Sequence, residues 1–254
     1  MKFLRDTWLI LQRQLQLNIR QPVWVLVGIF QPIMFLLLFA PLLKPALATL
    51  GVASDVEAYR FFVPGLLVML AIFGGLFQGF GLIAELRAGI IERSRVTPVS
   101  RVALLLGRAL RDVVVLLVQA VIITGLSLAF GLRVALGYLL LIYVLLALIG
   151  LATAAISYAV ALRLRAEDSL SNLMTALTQP ILLLSGILLP MSFAPVWLQR
   201  VAEWNPFYWA VNGARALAAG DVYHDHVWQG MAVIGALAVV ALLWAVREFR
   251  RSVR

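Results

Sequence analysis

The chain has 254 residues, 63% hydrophobic and 13% charged, with 21 Lys and Arg against 12 Asp and Glu and no Cys. Soluble domains are closer to half apolar and a quarter charged, so this composition leaves too little polar surface to cover a water-soluble globule. The length leaves no room for a sizeable soluble domain beside a membrane part, and the lack of Cys excludes disulfides and thiolate metal or redox chemistry.

The first segment, residues 1–22, places Leu4, Trp8, Leu11, Leu15 and Ile19 at helical spacing with Arg5, Gln12, Arg13, Gln16 and Arg20 between them. That pattern suits an amphipathic helix lying in a membrane interface, and equally a basic flank that anchors the first span. The apolar run behind it is longer than a signal-peptide core and no small-residue cleavage site follows, so a cleavable leader is not expected.

A helix rises ~1.5 Å per residue, so a ~30 Å hydrocarbon core takes ~20 mostly apolar residues. Six stretches meet that length: 23–43, 61–83, 107–131, 134–162, 170–190 and 229–247. None carries a charge near its middle. Only Gly131-Leu132-Arg133-Val134 separates the third from the fourth, which predicts a tight hairpin.

The segment between the second and third spans is too long for a plain bundle connection. It contains Glu85, Arg87, Gly89, Glu92, Arg93, Arg95, Thr97, Pro98, Ser100 and Arg101. Glu85 through Arg95 reads as a short polar helix that ends before Thr97-Pro98, because proline disfavours a helical predecessor. Ser100 is placed to cap the helix that follows. A compact charged helix held between two spans suits docking of a soluble partner; a solvated loop carrying orientation charge reads the same way.

The segment from about 190 to 228 is long but not polar. Pro190, Phe193, Pro195 and Trp197 lead into Trp204-Asn205-Pro206, with Asn205 as a helix cap, Pro206 at the first helical position and Gly220 as a stop. Two short aromatic helices dipping partway into a leaflet account for it, and so does an aromatic belt.

Charge fixes the orientation. Sixteen basic residues, from Lys2 to Arg20, Arg87 to Arg111, Arg163 to Arg165 and Arg247 to Arg254, face seven acids on one side; five of each lie on the other. The whole excess of +9 therefore falls on one face, which makes that face, with both termini, cytoplasmic. An odd number of spans would scramble this segregation. Binding to an anionic leaflet explains the charge without nucleic acid.

The chemistry of the chain points away from a catalyst. A P-loop needs Gly-Lys followed by Ser or Thr, and the two lysines, Lys2 and Lys44, follow Met and Leu. Leu184-Ser185-Gly186 lies in an apolar run, and its only candidate bases, His224 and His226, belong to the outer segment. The same two histidines flank Asp225, a weak metal-binding pattern better read as a solvated loop. An ion-coupled carrier is the main alternative among transporters, but such proteins place acids within their spans. Asp112 and Glu167/Asp168 are the deepest acids, and nearby Arg108, Arg111, Arg163 and Arg165 suggest interfacial ion pairs. The uncharged polar groups within the spans, among them Gln31, Gln78, Gln119, Thr124, Thr153, Ser157 and Gln179, suit helix-to-helix bonds or a pathway for a large amphipathic molecule. Gly74, Gly75, Gly79 and Gly81 allow close helix approach, within the chain or at a dimer seam.

Taken together, these segments resemble the membrane subunit of a type-2 ABC exporter, in the drug-resistance group that includes daunorubicin efflux permeases. The order of amphipathic helix, six spans and basic tail matches. Glu85…Gly89…Glu92-Arg93…Thr97-Pro98-Val99-Ser100-Arg101 is similar to that group's pattern between spans two and three. Leu189-Pro190, Ser192-Phe193, Pro195, Trp197-Leu198 and then Asn205-Pro206 are similar to its pattern before the last span.

The resemblance implies a single all-α integral membrane domain over 1–254 with six transmembrane helices, in a prokaryotic cell (inner) membrane. It implies that 84–98 includes a coupling helix seated in an ATP-binding subunit, with Glu85, Arg87, Gly89, Glu92, Arg93, Arg95, Thr97, Pro98, Ser100 and Arg101 at or beside that contact. The N-terminal helix would touch the same subunit, and 190–215 would form a re-entrant gate marked by Pro190, Phe193, Pro195, Trp197, Asn205 and Pro206. Two permease copies, or two paralogues, would pair with two ATP-binding subunits to move a hydrophobic or amphipathic compound. ATP and magnesium would sit on the partner, with no cofactor on this chain. Arg95-Val96 departs from the apolar pair that many relatives carry before the Thr-Pro step.

Overall fold

A backbone in hydrocarbon has no water to pair with, so its N–H and C=O groups must be satisfied within the segment, and the apolar runs fold as helices. The computed structural model describes residues 2–20, 23–39, 55–89, 100–188 and 190–252. Every regular element among the described residues is helical. They run α1 (Lys2–Arg20), α2 (Val23–Met34) with a π-helical turn at Phe35–Phe39, α3 (Asp55–Leu76), α4 (Gly79–Arg87), α5 (Arg101–Ala129), α6 (Leu136–Leu164), α7 (Glu167–Ser185), a 3₁₀ turn at Met191–Phe193, α8 (Val196–Glu203), α9 (Pro206–Ala219) and α10 (Asp225–Ser252).

Four helical stretches among the described residues are long and apolar enough to cross a membrane: Tyr59–Arg87, Val102–Ala129, Leu136–Leu164 and Asp225–Arg251. At 27 to 29 residues each, they extend ~40 Å, beyond a ~30 Å hydrocarbon core. They answer to the second, third, fourth and sixth expected spans. The first expected span is described only to Phe39. The fifth corresponds to α7, whose first turn carries Glu167 and Asp168 and which stops after 19 residues at the left-handed Gly186.

The centre of the bundle is α6, which packs against α3, α4, α5, α9 and α10. Its buried face is built from leucines and isoleucines in the first half and from Ala152, Ala154, Ala155, Ala159 and Ala161 in the second. Those small side chains let α3 and α4 come close. A Cβ on Gly75 would sit 1.8 Å from Thr153 Oγ1, and one on Gly79 would sit 2.7 Å from the Ser157 carbonyl oxygen. Gly81 meets nothing within 4 Å. Two of the four glycines singled out in the sequence therefore serve packing within the chain.

The second expected span is not one continuous helix. It breaks at Phe77-Gln78, between α3 and α4. Ser157 bridges the break from α6: its hydroxyl donates to the Leu76 carbonyl and accepts from the Gly79 N–H at 2.9 Å. Gln78 Nε2 donates back to Gly74 O at 2.9 Å. These contacts answer polar groups that the break would otherwise leave unpaired in an apolar surround. Thr153 reinforces the same seam, donating to Ile149 O at 2.8 Å and lying 3.3 Å from Ala71 O.

Of the polar helix expected from Glu85 through Arg95, residues 85–89 are described and 90–95 lie outside the described residues. Glu85 and Arg87 belong to the last turn of α4, and the helix ends in a turn at Ala88-Gly89. Gly89 has φ of +66°, a left-handed conformation that favours glycine and stops the helix there. The third–fourth connection is tight, as expected, with Gly131 at φ +105°. Arg60 Nε of α3 donates to the Arg133 carbonyl at 2.9 Å, fastening that hairpin to the bundle.

Candidate functional site

Where α4 ends and α5 and α7 begin, polar and charged side chains from five helices meet. On α5, Arg108, Arg111 and Asp112 recur at three- and four-residue spacing and so share one face. Arg108 forms an ion pair with Glu85 of α4. Asp112 divides its two oxygens: Oδ1 lies 2.9 Å from Arg111 Nε, and Oδ2 accepts a hydrogen bond from the Tyr158 hydroxyl of α6. Arg111 Nη1 reaches Asn18 Oδ1 of α1 at 3.4 Å. Arg87 Nη1 lies 2.8 Å from Glu167 Oε1 at the start of α7.

Arg108 and Asp112 are 8% and 6% exposed and Tyr158 is 1% exposed. A charge held that far from water survives only when a partner answers it. Each of the three has one. Arg87 and Glu167 are the outer, half-exposed members. The last turn of α4, which leads directly into 90–99, is therefore tied to α5 through Glu85 and to α7 through Arg87.

Of the ten residues picked out in the 84–101 segment, Glu85 and Arg87 enter this network. Ser100 caps α5, its Oγ accepting from Ala103 N at 3.1 Å, and Arg101 is the first residue of that helix. Gly89 forms the left-handed turn. Glu92, Arg93, Arg95, Thr97 and Pro98 lie outside the described residues. The pairing expected of Glu167 with Arg163 or Arg165 is corrected: its partner is Arg87. α6 ends at Leu164 and Arg165 turns left-handed, φ 55°, so Glu167 restarts the chain as α7 beside the end of α4.

At the opposite end, Asn205 and Pro206 open α9 as their types demand. Asn205 Oδ1 accepts from Phe207 N at 3.1 Å while its Nδ2 donates to Ile181 O of α7 at 2.9 Å. Pro195 precedes α8, and Phe193, Pro195 and Trp197 lie exposed on that side with Pro190 half-buried. Arg215 of α9 is the central fastener. Its Nη2 donates to Gly186 O at 2.9 Å and Ile187 O at 3.0 Å, and its Nε to Phe61 O at 3.2 Å. Its guanidinium carbon also sits 3.8 Å above the Phe61 ring. Burial lowers its pKa to about 9, so it remains charged at neutral pH and holds three carbonyls from α3 and the end of α7.

Tyr158, Asn18 and Arg215 were not among the residues singled out in the sequence. Nothing in one sequence signals these pairings; they appear once the helices are placed. Ser185 Oγ donates to Leu182 O at 2.7 Å. His224 and His226 lie with ring centroids 4.8 Å apart and planes tilted by 43°, and His226 contacts Gln229 and the Trp209 ring. The described residues contain no cluster of three or more metal-ligating side chains.

A family model described as "ABC-2 type transporter" matches residues 5–218. The chain is 26% identical over 233 residues to the daunorubicin resistance ABC transporter permease protein DrrB1 of Streptomyces coeruleorubidus, covering 91% of this chain and 81% of that protein. It is 28% identical over 219 residues to the putative transport permease ycf38 of Cyanophora paradoxa, covering 85% and 74%. It is 24% identical over 198 residues to the probable multidrug ABC transporter permease YbhR of Escherichia coli K12, covering 77% and 54%.

Proposed function

Because this chain belongs to the ABC-2 type transporter family, a family of multi-pass membrane proteins, we propose that it is the membrane-spanning permease subunit of an ATP-driven exporter for a hydrophobic or amphipathic compound. In this reading six helices cross the bilayer, α2 and α7 completing the set begun by the four long ones, and both termini face the cytoplasm. Hydrolysis occurs on two ATP-binding subunits, and a second permease completes the pathway.

The observation that carries the proposal is the tie from the end of α4 to α5 and α7 through Glu85 and Arg87. A partner that moves the 84–98 segment on binding ATP would displace α4 and, through Arg108 and Glu167, two further spans. The broken second span, bridged rather than sealed by Ser157, gives that movement a place to bend. The exposed apolar strip of α1, Leu4, Trp8 and Ile19, suits the cytoplasmic lipid interface while Thr7 and Leu11 pack inward. On the other side Arg215 and Asn205 would hold α8 and α9 as a re-entrant gate over the outward path.

The carrier alternative requires an intramembrane acid free to load and release an ion. Among the described residues Asp112 is the most buried acid, 6% exposed, and it is paired with both Arg111 and Tyr158.

The test is Glu92→Lys in the complex with its ATP-binding subunit. The variant should insert normally yet lose most transport and substrate-dependent ATP hydrolysis. Normal transport and hydrolysis by that complex would remove the coupling assignment.

A further inference from the structure

Between the start of α9 and the flank of α10 lies an open groove of about 410 Å³ lined by Glu203, Trp204, Pro206, Trp209 and Val233. Its lining residues are two tryptophans, a proline, a valine and one acidic residue. Trp209 is fixed in place: its indole N–H donates to the Glu203 carbonyl at 2.9 Å, and its ring meets Tyr208 at 5.5 Å and His226 at 5.3 Å, both edge-on. Trp204 is 90% exposed.

The electrostatics of the groove are one-sided. Glu203 is the last residue of α8, where the helix dipole presents its negative end and a cation, not an acid, is favoured. Among the described residues its carboxylate joins no ion pair, although Arg200 lies one turn away. Indole faces add further attraction for a cation. The groove also runs into an apolar surface, since Val240 lies seven residues after Val233 on the same face of α10 and both are exposed. A small inorganic cation would leave the apolar walls uncovered, and a neutral lipid would leave Glu203 unanswered.

We propose that this groove binds the ammonium head of an amphiphile in the adjoining leaflet, with the apolar body lying along α10. The site is separate from the 84–101 coupling network and does not depend on it. Two sources share this chemistry: a lipid with an ethanolamine or choline headgroup, and a single-chain amphipathic amine.

The test uses the full chain in phosphatidylglycerol nanodiscs, titrated with dodecyltrimethylammonium, dodecyl maltoside, and phosphatidylcholine, with bound molecules counted by native mass spectrometry. The parent chain should bind one or both ammonium probes at least tenfold more tightly than the maltoside. Glu203→Gln and Trp204→Ala should each cut that preference about five- to tenfold, with maltoside binding and thermal unfolding unchanged. Binding of phosphatidylcholine alone identifies the lipid source, and binding of the single-chain amine alone identifies the other; either supports the site. Equal binding of the ammonium and maltoside probes, or variants that bind like the parent, would overturn it. Because the chain has no Cys, Val233→Cys on the groove wall gives a second readout that keeps Glu203: a thiol reagent should label it, and dodecyltrimethylammonium should protect it where maltoside does not. Failure to label would show the groove covered, and would overturn the proposal too.

Discussion

The Tyr158 hydroxyl donates to Asp112 Oδ2 where both side chains are buried, joining the central helix α6 to α5 beside the Arg111 guanidinium. Removing the hydroxyl leaves Asp112 with its arginine; removing the carboxylate leaves the partly buried Arg111 guanidinium with only its 3.4 Å contact to Asn18. The two changes therefore differ in kind. Tyr158→Phe should cost about 1 kcal/mol, the scale of one hydrogen bond between membrane helices. Asp112→Ala should cost about 3–5 kcal/mol, the scale of breaking a buried ion pair. Thermal unfolding in detergent checks the order, and a Tyr158→Phe variant less stable than Asp112→Ala would contradict it.

The seam between α3–α4 and α6 makes a sharper steric prediction. Gly75→Ala places a methyl group 1.8 Å from Thr153 Oγ1, and both sides of that contact are helix interior. It should destabilise the chain by about 1–3 kcal/mol, the usual range for overpacking. Gly81→Ala meets nothing and should be neutral or slightly stabilising, by up to about 1 kcal/mol, through helix propensity. The paired measurement is monodispersity and melting temperature of the two variants after purification, and equal behaviour would contradict the close approach.

Ser157→Ala removes the group that accepts from Gly79 N and donates to Leu76 O. The folded state should survive with a loss of about 1–2 kcal/mol. Amide hydrogen exchange at Phe77–Phe80 should accelerate relative to the rest of α3, reporting a looser hinge. Unchanged exchange there would show that the break is held by other contacts.

Arg215 joins three carbonyls that belong to α3 and to the end of α7. A lysine keeps the charge but cannot span them with one planar group. Arg215→Lys and Arg215→Gln should therefore both loosen this end of the bundle. In a chain without Cys, an Ile187→Cys reporter, 1% exposed in the parent, should react with a thiol reagent several-fold faster in either background. A rate unchanged in both would contradict the fastening role.

Much of this fold was legible because hydropathy and capping act locally. Ser100, Asn205 with Pro206, Gly220 and the Gly131 hairpin all appear where the sequence placed them, since each acts on backbone within three residues of itself. The 84–101 segment was legible as charged, and Glu85 and Arg87 do enter the network. The break at Phe77-Gln78 was not legible, because it depends on Ser157, some eighty residues away, to answer the exposed backbone. The charge pattern of Glu85 to Arg95 suits a helix, whereas Glu85 and Arg87 close α4 ahead of the left-handed Gly89 and 90–95 lie outside the described residues. Glu167 was assigned to its sequence neighbours Arg163 and Arg165, whereas tertiary packing brings Arg87 within reach. Sequence proximity is a poor guide to ion pairs when helices run past one another.

The central claim is that movement of the 84–98 segment reaches the rest of the bundle through the end of α4, and the Arg87–Glu167 pair tests it most directly. Both residues are half-exposed, 59% and 41%, so the pair contributes at most about 1 kcal/mol to stability, and its loss need not unfold the chain. The measurement is substrate-stimulated ATP hydrolysis by the reconstituted complex carrying Arg87→Glu, Glu167→Arg, or both. Each single reversal should lower the stimulation several-fold, and the double reversal should restore at least half of it. Single variants that stimulate normally, or a double variant no better than the worse single one, would contradict it.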